Sequence, residues 1–567
     1  MAFASPTADQ LLALKACAGI DELAEHERFA AASADVVEAI VEGVAAFAEG
    51  EYAPLNRLGD TEGARFANGT VTLPTGFREA YRHFVEQGWN SISGDEAFGG
   101  QGLPFSLATC VLETVGTANL GFTLLPLLTV GAIEAIHEHG SDALKATYLP
   151  KLVSGEWSGT MNLTEPQAGS DVGALRTTAT PRADGTWSIK GTKIFITFGE
   201  HDCADNIVHL VLARTPGAPA GSRGISLFVV PKFHVGADGA VGPRNDLRCV
   251  SIEHKLGIHA SPTCVMSYGD NGECVGEMVG RENAGLAAMF TMMNAARINV
   301  GSQGVQIAER ALQQAQQYAR ERVQSARAGS PDKTPVAIVE HPDVRRMLLR
   351  MRALTEGARA LLYYTAGQVD RGALGDEAAQ ARADCLVPLI KAWGSDTGVE
   401  VASLGLQIHG GMGFIEETGA AQHYRDARIA PIYEGTNGIQ AADLVTRKLG
   451  NGDTLHALFA DAARETQGEL EALARDCGDV VAWMTASASL DDRLAGSVPF
   501  LAMAATAVAG WQLQREAKLA EGALAQTKPV VAAYFADQLA AEARGLKRAA
   551  MAGAAPLYAL DAEALAG

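Results

Sequence analysis

Thr186-Trp-Ser-Ile-Lys-Gly-Thr-Lys-Ile-Phe-Ile-Thr197 decides how this chain is read. Thr177-Thr-Ala-Thr-Pro181 precedes it, and Ile207-Val-His-Leu-Val-Leu-Ala-Arg214 and Ile225-Ser-Leu-Phe-Val-Val-Pro231 follow. All are short and rich in β-branched residues. Turn residues part them at Arg182-Ala-Asp-Gly185 and Ala237-Asp-Gly239. Such runs predict an antiparallel β domain, not βαβ units. A dinucleotide-binding fold therefore lacks support, since Gly410-Gly-Met-Gly413 follows no strand and has the wrong spacing.

On both sides of this segment the texture is helical. Val36-Val37-Glu-Ala-Ile40-Val41-Glu-Gly-Val44-Ala-Ala-Phe47 repeats apolar positions at three and four, as an amphipathic helix does. Phe77 to Trp89 continues that pattern, and Ser93 to Pro104 is a loop by its glycine density. Helices return near Leu286, with periodicity over Ala308 to Val323, Val344 to Asp370, Ala378 to Ile408 and Ala441 to Leu449. Gly450-Asn-Gly-Asp453 marks a boundary before an Ala-rich helical segment. The expected fold class is α+β. It comprises an N-terminal helical domain over 1–157, a β domain over 158–285, a helical bundle over 286–450 and an extra helical domain over 451–567.

The chain has 567 residues, 47% of them hydrophobic and 20% charged, which is globular composition. Its net charge of −20 argues against nucleic acid as a partner, because phosphate neutralisation needs clustered cations. The eight cysteines form no Cys-x-x-Cys pair and no His-flanked metal spacing. They read as reduced, buried thiols, and no metal is expected. With a start, Met-Ala-Phe-Ala-Ser-Pro, that lacks the pattern of a signal peptide, this favours the cytoplasm. Two uncharged runs, 114–133 and 494–514, are long enough to cross a membrane. Their small and polar residues favour core helices, and peripheral membrane contact through the second stays open.

One stretch points to chemistry: Arg425-Asp-Ala-Arg-Ile-Ala-Pro-Ile-Tyr-Glu-Gly-Thr-Asn-Gly-Ile-Gln440. Glu434 stands between an aromatic residue and a Gly-Thr-Asn-Gly turn, whose glycines permit close backbone approach. Read alone, it is more simply a charged turn opening a helix near Ile439, with Glu434 favoured by the helix dipole.

Met161-Asn-Leu-Thr-Glu-Pro-Gln-Ala-Gly-Ser-Asp171, followed by Lys190-Gly-Thr-Lys-Ile-Phe-Ile-Thr197, resembles the flavin-binding signature of acyl-CoA dehydrogenases. Arg425 to Gln440 resembles the family's second signature, and the α–β–α order agrees over residues 36–450. Long bacterial members with a C-terminal helical extension are the nearest likeness. The resemblance implies FAD as cofactor, with Met161, Leu163 and Thr164 toward the pyrimidine side. It also places Thr197 toward N5, and Gly169 and Ser170 toward the pyrophosphate. Phe195 stands where the family usually has Trp, which keeps a flat ring and loses an indole N–H. Arg322 matches the arginine given to the FAD of a neighbouring subunit, with Gln407, Gly410 and Gly411 as companions, so at least a dimer is implied. There the family's Arg-x-Thr-Phe-Gly reads Arg322-Val-Gln-Ser-Ala. A surface helix arginine explains Arg322 equally well.

By the same resemblance, Thr436 joins the cofactor set, while Asn294, Arg297, Tyr433 and Gly435 bound the acyl-CoA. His259, in Lys255-Leu-Gly-Ile-His-Ala-Ser261, replaces a family arginine and reads as a structural residue. The implied reaction is α,β-dehydrogenation of an acyl-CoA thioester. Glu434 would be the α-proton base, flavin N5 the hydride acceptor, and electron-transfer flavoprotein the reoxidant. The substrate is a straight-chain fatty acyl-CoA or 3-methylmercaptopropionyl-CoA. Rival readings are an oxidase or desulfinase on the same scaffold, or a non-catalytic flavoprotein.

Overall fold

Strand pairing gathers on the segment Thr186 to Thr197. Residues 3–236 and 238–567 are described in this computed structural model; the part of the expected turn at Ala237 lies outside them, as do Met1 and Ala2 of the expected N-terminal domain. The chain forms two compact units: Ala46–Leu103 with Ala118–Ala296, and Pro104–Thr117 with Arg297–Gly567 and the stretch ending at Ala45.

In the first unit an eight-stranded sheet is built from β1 (Trp157–Asn162), β2 (Thr178–Pro181), β3 (Trp187–Thr197), β4 (Asn206–Ala213), β5 (Ser226–Pro231), β6 (Leu247–Ile252), β7 (Thr263–Tyr268) and β8 (Cys274–Val279). Its order is β6-β7-β3-β8-β5-β4-β1, with β2 also on β3. The expectation of a purely antiparallel domain is corrected at one edge, where β1 runs parallel to β4 from Trp157↔Asn206 to Asn162↔Val211. A parallel pair needs a long crossover, and residues 163–205 supply it while placing β2 and β3 elsewhere in the sheet. The sequence reading also missed a small hairpin, Arg65–Ala67 with Thr70–Thr72.

β1 packs on the helix Leu120–His139, where a Cβ on Gly159 would come within 2.4 Å of Ala132 Cβ. Leu128, Ile136, Leu149, Trp157, Leu210, Val229 and Met292 share the core there. Among the described residues, Leu120–His139 alone is long and apolar enough to cross a membrane, and 83% of its apolar window is buried in the protein. The other uncharged run lies in the helix Ser497–Leu519, whose Phe500, Met503, Val508 and Trp511 are buried.

β3 carries the irregularity that matters for function. Opposite β7, Cys264 faces Ile196 and Met266 faces Lys193, so Ile194 and Phe195 together oppose one residue. This is a β-bulge, a device that re-aims a side chain. Phe195 takes φ +60° there and is 58% exposed.

Long helices make the second unit: Gly285–Glu321 from Arg297 onward, Pro342–Ala373, Glu377–Leu389, and Ser395–His409 joined to the last by a π-helical turn, Ile390–Gly394. Glycines let two of them touch backbone to backbone. A Cβ on Gly301 would sit 2.7 Å from Ile390 O, and one on Gly304 would overlap Gly394 O.

Residues after Gly450 pack into this same unit through buried charge. Lys528 is fully buried, with Asp9 Oδ1 at 2.8 Å, Glu356 Oε2 at 3.0 Å and Glu516 Oε2 at 2.6 Å. Burial would lower the Lys528 pKa, but Glu516, Glu356 and Asp9 outweigh it and raise it. Arg359, also buried, bridges Glu113 at 2.8 Å and Glu309 at 2.9 Å. Removing one partner of such a cluster strands the others in a poorly solvated interior. Lys528→Met should therefore lower stability by about 3–5 kcal/mol, read as a lower urea midpoint. A wild-type midpoint would show that the three carboxylates relieve the charge by taking up protons.

Candidate active site

Glu434 is set by backbone geometry before its side chain matters. Ile432 N donates to Ile429 O at 2.9 Å, and Asn437 N to Pro431 O at 3.1 Å, closing a tight loop. Within it Glu434 adopts φ +57° and Gly435 φ +83°. A non-glycine residue in the left-handed region costs about 1–2 kcal/mol. Such residues cluster at functional sites, where the surrounding structure holds them in place. The loop then enters the helix Asn437–Thr446, with Thr436 as N-cap accepting from Ile439 N at 3.3 Å. Thr436, expected at the cofactor, thus has a local task in capping that helix.

Arg297 and Gln440 hold the loop from behind. Arg297 Nε donates to Glu434 O at 3.4 Å and Gln440 Nε2 to the same oxygen at 3.2 Å. Tyr433 donates its hydroxyl to Gln303 Oε1. Burial raises the Glu434 pKa above its ordinary 4.5, with Arg297 and Lys391 pulling the other way. Burial, and then the charge of Glu434, push the Tyr433 phenol well above its usual range, so it remains a neutral donor.

Sequence reasoning missed three members of this cluster. Asn437 Nδ2 donates to Ala392 O at 3.0 Å and Asp396 Oδ1 at 2.8 Å, while its Oδ1 accepts from Lys391 Nζ at 2.9 Å. Asn437 was in plain view as the third residue of Gly-Thr-Asn-Gly. Lys391 and Asp396 lie more than thirty residues earlier in the chain, and an isolated lysine in the apolar run Leu386–Trp393 was the available signal.

The signature residues of the sheet unit form a second assembly. Ile194 N donates to Thr164 O at 2.9 Å, and buried Lys193 donates to Leu163 O at 3.0 Å and Glu165 Oε1 at 2.8 Å. Glu165 also accepts from Thr177 Oγ1 at 2.6 Å and Arg176 N at 2.7 Å. Burial alone would raise its pKa; Lys193 and these donors bring it to about 2. The loop after β1 is thereby pinned to β3, while its tip, Gly169 and Ser170, stays exposed. Met161, Thr164 and Thr197 are half-buried, and Leu163 turns its side chain into the core. The structure brings Met161, Leu163, Thr164, Gly169 and Ser170 into one segment beside Phe195 and Thr197 on β3.

Asn294 is half-buried on the helix Gly285–Glu321. Arg322 is exposed just past that helix, its Nη2 donating to Gln324 Oε1 at 3.2 Å. Gln407, Gly410 and Gly411 are exposed at the end of Ser395–His409. His259 is structural, with Nδ1 2.9 Å from Asp60 Oδ1 and Nε2 3.0 Å from Lys255 O.

Four family models cover most of the chain. Acyl-CoA dehydrogenase, N-terminal domain, matches residues 35–156; the middle domain matches 160–270, and the C-terminal domain 283–449. Acetyl-CoA dehydrogenase C-terminal like matches 450–561. The chain belongs to the acyl-CoA dehydrogenase family and is an oxidoreductase of that family. It is 50% identical to the 3-methylmercaptopropionyl-CoA dehydrogenase of Ruegeria pomeroyi, covering 96% of this chain and 97% of that protein. It is 35% identical to the broad-specificity linear acyl-CoA dehydrogenase FadE5 of Mycobacterium tuberculosis, covering 92% and 91%. An acyl-CoA dehydrogenase from Bacillus anthracis, solved with FAD, shares the fold at TM-score 0.74 and 23% identity, over 91% of this chain and 88% of that one.

A Cβ on Gly435 would meet Gln440 Nε2 at 2.9 Å, on a backbone already left-handed. Gly435→Ala should cost about 1–2 kcal/mol of stability, measured by thermal unfolding. The amide it meets is the one that donates to Glu434 O, so the loop itself should loosen.

Proposed function

We propose that the protein catalyses FAD-dependent α,β-dehydrogenation of an acyl-CoA thioester to the trans-2-enoyl-CoA, with Glu434 as the α-proton base. One observation carries the reading. A half-buried carboxylate is presented on a strained loop to which two buried cations bond, with a neutral tyrosine beside it.

The residues present fit a flavin. Among the described residues the Thr164 and Thr197 hydroxyls have no hydrogen-bond partner, and the bulge turns Phe195 outward as an uncovered flat ring. A Cβ on Gly169 would meet nothing within 4 Å, and its φ is not positive, so the chain itself gives no reason for glycine there. Close approach by a phosphate group does. Met161, Leu163, Thr164, Gly169, Ser170, Phe195 and Thr197 would hold FAD, which would supply the acceptor for the β-hydrogen as hydride.

The rest of the chemistry belongs to the chain. A carboxylate near its ordinary pKa is a weak base for a carbon acid, and desolvation strengthens it. Glu434 accepts the α-proton; the electron pair left behind develops into an enolate, which its own backbone N–H stabilises at the thioester oxygen. Tyr433 and Gly435 shape the wall, and Asn294 and Arg297 are assigned to the CoA thioester. Exposed Arg322, Gln407, Gly410 and Gly411 support a homodimer in which they serve the partner's cofactor. Electron-transfer flavoprotein is the reoxidant in this reading. The 50% relative favours 3-methylmercaptopropionyl-CoA as substrate, and the FadE5 likeness favours straight chains.

Glu434→Gln should stay yellow and bind acyl-CoA while flavin bleaching slows by about 10²–10⁴-fold. Undiminished bleaching would remove Glu434 from the mechanism. In the wild type, bleaching should rise with pH through a midpoint above 4.5, because only the ionised base works and burial raises its pKa. A midpoint at or below that value would contradict the burial argument. Bleaching by butyryl-, octanoyl- and 3-methylmercaptopropionyl-CoA then ranks the substrates.

A further inference from the structure

Lys391 is fully buried in the π-helical turn Ile390–Gly394. Among the described residues its Nζ makes one hydrogen bond, to Asn437 Oδ1 at 2.9 Å, and joins no ion pair. An ammonium carries three donors, and burying one without a paired charge is costly. Asn437 is already held by Ala392 O, Ser395 Oγ and Asp396 Oδ1. The turn is also fixed from its other side, because Gly301 and Gly304 bring a helix backbone against Ile390 and Gly394. A buried, singly bonded cation is thus tied to Asn437, three residues past Glu434.

We propose that Lys391 is a positioning residue for the dehydrogenation: through Asn437 it anchors the loop that presents Glu434, and it sets a buried positive charge at the foot of that loop. The inference rests on Glu434 being the base. The charged and titratable groups around the pair are few. Glu434 is faced by Arg297, Lys391 and its neighbour Tyr433. Lys391 is faced by Glu434, Asp396 and Arg297; Arg297 also by Asp443 and Arg447; Asp396 also by Arg428 and Glu400. Burial lowers the Lys391 pKa to about 8, with Glu434 and Asp396 pulling it up, so the lysine remains charged through the neutral range. Lys391 does not take the substrate proton. It opposes protonation of Glu434 from behind.

The test compares anaerobic flavin bleaching by butyryl-CoA across pH in FAD-loaded wild type, Lys391→Gln, Lys391→Met and Asn437→Ser. Lys391→Gln keeps a donor for Asn437 and removes the charge. Its rising limb should move to higher pH by about one unit, a tenfold loss at the acid end that recovers at high pH, with the KM for butyryl-CoA little changed. Lys391→Met should shift the limb equally and also lower the plateau. Asn437→Ser keeps the charge and should lower the rate at every pH without moving the limb. An unshifted limb in both lysine variants would overturn the proposal, as would failure of both to fold, which would make the lysine structural. Glu434→Gln separates the two ideas: if it still bleaches, the base assignment fails; if it is inert and the lysine limb is unshifted, only the role of Lys391 fails.

Discussion

A carboxylate takes a proton from a carbon acid more readily once water has been taken from it, yet a carboxylate stripped of water tends to take up a proton beforehand. The structure around Glu434 answers both demands. Burial raises its proton affinity, while Arg297 and Lys391 stand behind it and restrain that rise. Arg297 binds the backbone carbonyl of Glu434, and Lys391 binds Asn437 three residues on. Among the described residues no donor is bonded to the Glu434 carboxylate oxygens. The loop holds the residue by its backbone and leaves the carboxylate oxygens without a bonded donor, as the proposed base requires.

Around that centre the fold is largely a way of tolerating buried charge. Lys528 gathers three carboxylates and ties the chain beyond Gly450 to the long helices, and Arg359 bridges two more. In the sheet unit, Lys193 and Glu165 do the same for the signature loop, so that Gly169 and Ser170 stay exposed on a fixed support. Phe195 and Glu434 are two of the seven non-glycine residues with positive φ among the described residues, places where a side chain is aimed against ordinary backbone preference. Both lie in the stretches that carry the family likeness.

The fold class was legible because β-branched runs and three-four apolar spacing are local signals, and the α–β–α order follows from them. The parallel pairing of β1 with β4 was not, since register between distant strands leaves no mark in either strand alone. Glu434, Tyr433 and Gly435 were legible because they share one motif. Lys391, Asp396 and Gln303 come to the loop from other helices, and only packing through Gly301, Gly304 and Gly394 makes them neighbours. Thr436 shows the converse: a motif residue expected at the cofactor is seen capping a helix.

The central claim, that the Glu434 carboxylate removes the α-proton, is tested most directly by isotope exchange. Acyl-CoA is incubated anaerobically with dithionite-reduced enzyme in D2O, and deuterium at the α-carbon is followed by NMR. The wild type should wash deuterium into that position, and Glu434→Gln, with bound FAD and intact acyl-CoA affinity, should leave it protiated. Exchange at the wild-type rate in the variant would contradict the account.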